Sequence, residues 1–188
     1  MKRALIVLLA AAALTASAAV QARVRYVDDP AAPRALPEQG PVAVQWTDPA
    51  EFTDLRLSGN RWEARRGNWV FQLAEHLRKS ATGQLGDGER LEVTITDIGR
   101  AGHYEPWHGV QMQDVRILRD IYPPVIELSF RRYDAGGNLV AEGERRLRDL
   151  NYLHGIYTAS SSDSLRYEKR LIDDWLRREF SQPSLADR

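Results

Sequence analysis

Along most of this chain, apolar and polar residues either alternate or recur with a helical period. Val42, Val44 and Trp46 fall on one side of a short stretch with Ala43 and Gln45 on the other, which predicts a strand buried on one face. Asp48-Pro49 ends it, and residues 49–59 are expected as a loop or short helical turn carrying Phe52, Asp54 and Leu57. Asn60 followed by Glu63 has the spacing of a capping box. From there Trp62, Trp69, Leu73 and Leu77, with Val70, Ala74 and Ala81 beside them, keep close to the 3.6-residue period, so one amphipathic helix is expected from Asn60 to a stop at Gly83. Leu91, Val93 and Ile95 then alternate with Glu92, Thr94 and Thr96 in a second strand.

Gly99 to Gln113 breaks the pattern and reads as a long loop, followed by an extended edge segment over Val115 to Ile121. Val125 to Tyr133 alternates again, and Asp134-Ala135-Gly136-Gly137-Asn138 supplies residues that tolerate a turn, so the chain returns in a hairpin through Leu139 to Leu147. Ile126, Leu128 and Phe130 are expected on the buried face of one hairpin strand, and Leu139, Ala141 and Leu147 on that of the other. A last helix from about Leu165 to Phe180 carries Leu165, Leu171, Ile172, Trp175 and Leu176 with the Tyr167 ring, and Ser162 or Asp163 is its expected cap. Strands with one apolar face and helices with one apolar stripe imply an α+β two-layer sandwich, a mainly antiparallel sheet of about four strands with two helices on one face.

The ends of the chain change the picture. Met1-Lys2-Arg3 followed by the apolar run Ala4 to Ala16, with small residues allowing cleavage after Ala18 or Ala22, has the form of a secretory signal peptide over residues 1–22. Residues 23–41 contain Pro30, Pro33, Pro37 and Pro41 among charged residues and are expected as an extended leader, read most simply as a disordered spacer. That leaves residues 42–182 as a single domain, exported, periplasmic or secreted, with no membrane span in the mature chain. The sequence has no cysteine, which excludes disulfides, thiol catalysis and a lipid-modified cysteine. Its 26 basic and 26 acidic residues give no basic excess for nucleic acid.

Candidate chemistry gathers around the long loop. His103 and His108 flank Tyr104-Glu105-Pro106-Trp107, a pair that could meet on a metal, although Pro106 forbids the helical spacing of zinc hydrolases. Glu105 with Asp120 or Asp114 would supply two carboxylates for hydrolysis of a cell-wall or glycan substrate. No nucleophile elbow and no phosphate loop occur, and no cofactor is implied. Trp107 either plugs the end of the sandwich or stands out as an anchor for a partner. Arg119-Asp120 and Arg148-Asp149 bracket the hairpin, each followed by a tyrosine, Tyr122 or Tyr152, so its closure is expected to bring them together, either as a structural ion-pair network or as part of a contact surface.

Six phrases carry a resemblance: Asp48-Pro49 with Phe52-Thr53-Asp54, Glu105-Pro106-Trp107, Gln113-Asp114-Val115-Arg116, Arg119-Asp120-Ile121-Tyr122-Pro123-Pro124, Arg148-Asp149-Leu150-Asn151-Tyr152, and Leu165-Arg166-Tyr167-Glu168 with Asp173-Asp174-Trp175. Together they resemble an exported proteobacterial family known as a domain of unknown function, over about Val42 to Phe180. The resemblance brings no activity or cofactor. Glu105, Trp107, Arg119, Asp120, Arg148 and Asp149 match its pattern, whereas His103 and His108 do not, so a shared binding surface is expected at those six. The order of elements is also similar to that of small envelope accessory proteins, an analogy of fold alone. The expectation is therefore a non-enzymatic protein that binds an envelope protein or glycan; the alternatives are a hydrolase and a metal-binding protein.

Overall fold

The computed structural model describes residues 26–154 and 162–180. The expected signal peptide lies outside the described residues. Four strands, β1 (Val42–Trp46), β2 (Arg90–Gly99), β5 (Val125–Tyr133) and β6 (Leu139–Arg148), form one sheet in the order β1-β2-β5-β6. A second, two-stranded sheet joins β3 (His103–Tyr104) to β4 (Arg116–Ile117). The short helices α1 (Thr53–Arg56) and α2 (Arg61–Ala64) precede the longer α3 (Trp69–Thr82), and α4 (Arg166–Phe180) closes the domain.

β1 runs parallel to β2 while the other neighbours are antiparallel, so the sheet is mixed, as a crossover through α3 requires. Val44, Trp46, Val93, Ile95, Leu128 and Phe130 are buried on the face covered by α3 and α4. Each such aliphatic side chain contributes about 1.5–3 kcal/mol by leaving water. Trp175 of α4 meets Phe130 edge on at 5.6 Å, and Asp173 ties α4 to His76 and Ser80 of α3, both at 2.8 Å. Trp46, Trp69 and Trp175 occupy the core as expected. Of the two expected caps for the last helix, Asp163 takes the role, accepting from the Leu165 amide at 2.9 Å.

The expected single helix from Asn60 is two. Asn60 does cap, receiving the Glu63 amide at 3.2 Å, but Glu63 pairs with Arg66 instead of reaching back. Gly67 then turns into the left-handed region at φ +87° and a new helix starts at Trp69. The break leaves the Ala64 carbonyl without a helical successor, and it accepts from the Trp69 indole at 3.0 Å and from Arg100 at 2.8 Å. Trp62 accordingly leaves the expected stripe; it is 58% exposed and packs against the Tyr26 ring.

Two further expectations are corrected. Leu139 is exposed and Val140 is buried in its place, because a bulge opposite Arg132 and Tyr133 shifts the phase of β6 at its start. The leader, from Tyr26 onward, is docked rather than loose. Val27 and Leu36 are buried, the Leu36 amide donates to Val44 at 2.9 Å, and the Trp46 amide donates to Arg34 at 2.9 Å. Ion pairs of Asp28 with Arg65 at 2.9 Å and of Arg34 with Asp48 at 2.8 Å add to these contacts.

These placements separate two tryptophans expected on the apolar stripes of two different helices. Trp175→Ala should cost about 3–5 kcal/mol of stability as a core truncation, while Trp62→Ala should cost less than about 1 kcal/mol, both read from urea denaturation midpoints.

Candidate functional site

The segment after β2 builds a protrusion whose base is charged and buried and whose tip is apolar and exposed. β2 bulges between Ile95 and Asp97, and Asp97 accepts from the Thr53 amide and hydroxyl at 2.6 and 2.5 Å, fixing the first turn of α1. That turn presents Asp54 to two guanidinium groups. Arg100 donates from its backbone amide, Nε and Nη2 at 3.0, 2.9 and 2.7 Å, and Arg116 from Nη2 at 2.9 and 3.0 Å. Burial pushes the Asp54 carboxyl up, but the charges of Arg100 and Arg116 outweigh it and the net effect is a lowered value. Arg116 also crosses the Tyr104 ring at 4.8 Å and donates to the Gly102 carbonyl at 3.0 Å, so β4 is held to β3 by more than its short ladder.

Glu105 follows β3 and is 1% exposed. Tyr122 donates its hydroxyl to Oε1 at 2.8 Å, Arg119 reaches Oε2 at 2.7 Å, and His108 Nε2 lies 2.9 Å from Oε2. Burial raises this carboxyl as well, and the Tyr122 hydrogen bond with the charges of Arg119 and His108 reverses that to a net lowering. Tyr122 is raised in turn, first by its bond to Glu105. The His103 ring stacks at a tilt on Tyr122 at 5.1 Å and is lowered by burial and by Arg116, which favours the neutral imidazole.

Beyond Glu105 the chain makes successive tight turns, with backbone bonds from His108 to Glu105, Met112 to Gly109 and Val115 to Met112. Asn60 clamps the far end by donating to the Gln113 carbonyl at 3.1 Å and the Asp114 carboxylate at 2.8 Å. Gly59 makes this approach possible: a Cβ there would lie 2.1 Å from the Tyr104 carbonyl. Trp107 is 66% exposed, so the plug is ruled out and the side chain stands out on the protrusion, its ring tilted against that of His108 at 6.1 Å.

The two ends of the hairpin do meet. Val125 pairs with Arg148, and the buried Tyr152 donates its hydroxyl to the Arg119 carbonyl at 2.8 Å, which joins the two Arg-Asp phrases. Burial pushes the Tyr152 phenol up to about 12. The expected ion-pair network among those phrases is corrected, since Arg119 turns to Glu105 and, among the described residues, Asp120, Arg148 and Asp149 form no ion pair. Asp149 instead accepts the Asn151 amide at 2.9 Å and shapes the turn.

The chemistry open to these residues is limited by their partners. A general acid needs a raised carboxyl, and Glu105 is lowered with both oxygens occupied. Asp114 and Asp120 are exposed, Asp114 being held by Asn60. Among the described residues no group of three or more His, Asp or Glu side chains is placed to hold a metal. A concavity of about 1220 Å³ runs along the open face of the large sheet, lined by none of these residues; it is a broad surface trough of mixed polar and apolar lining.

Sequence reasoning passed over three charged groups, the buried Asp54 and Glu168 and the half-buried Arg116. Each stands inside one of the phrases that carried the resemblance, in Phe52-Thr53-Asp54, Gln113-Asp114-Val115-Arg116 and Leu165-Arg166-Tyr167-Glu168. Glu168, 1% exposed, accepts the Ala101 amide on Oε1 at 2.6 Å, while its Oε2 has no hydrogen-bond partner among the described residues, and burial pushes this carboxyl up.

Two substitutions test this electrostatic base. Asp54→Asn should cost about 3–5 kcal/mol near neutral pH by leaving two guanidinium groups uncompensated. A lowered carboxyl stabilises the fold above its ordinary 3.8 and loses that effect as pH falls through the lowered value, so the gap to wild type should close in acid. Glu168 has the opposite sign: its contribution is full below the ordinary 4.5 and is lost as pH rises through its raised value. Glu168→Gln should therefore match wild type in acid and melt at a higher temperature toward neutral pH, both read from melting temperature against pH.

No significant match is found among curated proteins or among solved structures. A family model does match, over residues 40–178, which takes in the whole sheet, the protrusion and most of α4. The chain belongs to the family described as Protein of unknown function (DUF3016).

Proposed function

We propose that this chain, a member of an exported proteobacterial family, is a non-enzymatic binding protein of the cell envelope, periplasmic or secreted, whose contact surface is the protrusion between Trp107 and Ile121. One observation carries the reading: of the ten large apolar side chains exposed among the described residues, six fall in that stretch, Trp107, Val110, Met112, Val115, Leu118 and Ile121. An exposed cluster of this kind marks an interaction site. Its base is over-determined by the Asp54 and Glu105 ion clusters, so little ordering would be needed on binding.

The partner that fits is a protein with an apolar groove. Aliphatic side chains outnumber the single indole at the tip, whereas a glycan site would call for stacked rings framed by polar groups. Glu105 and Arg119 serve in this reading as the buried support of the surface, and Trp107 as its anchor. Asp120, Arg148 and Asp149 form the polar rim beside it.

Photocrosslinking of the tagged chain in living cells, from a probe placed at Val110, tests the proposal. A reproducible envelope protein should be captured, and Trp107→Ala should weaken its binding by ~30-fold or more with the melting temperature unchanged. Turnover of peptidoglycan fragments that is lost in Glu105→Gln would replace this reading with the hydrolase.

A further inference from the structure

The two edges of the large sheet are treated differently. The outer side of β1 is covered by residues 34–36, through the Leu36 and Trp46 amide bonds and an Ala35 to Gln45 bridge. β6 lies at the other edge, and among the described residues nothing pairs with its outer side. In an antiparallel ladder alternate residues turn their amide and carbonyl groups to the same side. The hairpin closes on bonds between Asp134 and Asn138, and the bulge that sets Ala141 opposite Arg132 fixes the phase beyond it. Ala141, Gly143, Arg145 and Leu147 thus face β5, and Glu142, Glu144, Arg146 and Arg148 face outward. The Glu144 carbonyl bears this out by accepting from the Arg145 guanidinium at 3.0 Å, which leaves it a second lone pair.

The side chains of those four outward residues are exposed on the open face, away from the helices. Their order is two acids followed by two bases. Among the described residues Glu142, Glu144 and Arg148 form no ion pair, and Arg146 pairs with Glu127 of the neighbouring strand at 3.3 Å through Nη1 while its side chain stays 68% exposed. Charges on an edge strand ordinarily repel a second strand. Here a reversed copy of the same strand meets each charge with its opposite.

We propose that β6 pairs antiparallel with β6 of a second copy of this chain, about a two-fold axis at Arg145, setting Glu144 against Arg146 and Glu142 against Arg148 of the other copy. The register follows from the backbone and the charges together. An axis between two residues would oppose an outward-facing residue to an inward-facing one. Moving the axis to 144 sets Glu144 against itself, and moving it to 146 sets Arg146 against itself. The axis at 145 opposes unlike charges at all four positions. Arg145 then faces its own copy on the helix side, where each guanidinium is already neutralised by Glu179, at 3.0 and 2.9 Å, and lies over the Phe130 ring.

Light scattering on the purified full chain over a concentration series tests it. Wild type should show twice the mass of one chain. Glu144→Arg and Arg146→Glu each bring like charges together at both symmetric positions, so each variant alone should be a folded monomer, its self-association weakened by ~100-fold or more. Mixing the two variants restores unlike charges across the pair and should return the double mass. A wild-type monomer at every concentration, single variants that associate as wild type does, or a mixture that stays monomeric would each overturn the proposal.

Discussion

Asp54 is a carboxylate taken out of water, and most of the protrusion depends on how it is compensated. It draws Arg100 from the end of β2 and Arg116 from β4 onto one point of α1, three segments that no continuous strand or helix connects. Arg100 stacks on Trp69 at 4.3 Å and Arg116 on Tyr104 at 4.8 Å, so the polar cluster is sealed by rings that belong to the core. Removing charge from such a cluster is costly because the remaining charges stay buried. The protrusion is therefore fixed in orientation although ten consecutive residues of it, from Pro106 to Val115, are exposed.

The Glu105 cluster repeats the design one step further out. Its carboxylate gathers Arg119 and Tyr122 from the segment that leads into β5, and Tyr152 holds the same segment from behind through the Arg119 carbonyl. Rigid support behind an exposed apolar tip suits recognition better than it suits catalysis, where a reacting carboxylate would need an oxygen to spare.

The periodic parts of the chain were legible in the sequence because a single face decides them. β1, β2, β5 and α4 bury the residues their patterns named. The helix expected from Asn60 was misread because its apolar period is continuous across Gly67, while the Ala64 carbonyl is claimed by Trp69 and Arg100, a tertiary demand that no local pattern records. Leu139 was misassigned for a related reason, since a bulge changes the face without changing the alternation. At the site, Glu105 and Arg119 were named from their phrases and do meet. Asp54 and Arg116 were not, because a buried acid and its distant bases look like surface charges until the fold joins residues 62 positions apart.

The covered edge of β1 has a consequence for how many copies could ever share this sheet. A sheet with two open edges can add strands at both ends without limit, which is the geometry of a fibre. With residues 34–36 laid along one side, growth is possible in one direction only. An assembly through the remaining edge would end at a closed pair, with the docked segment as the stop on the other side.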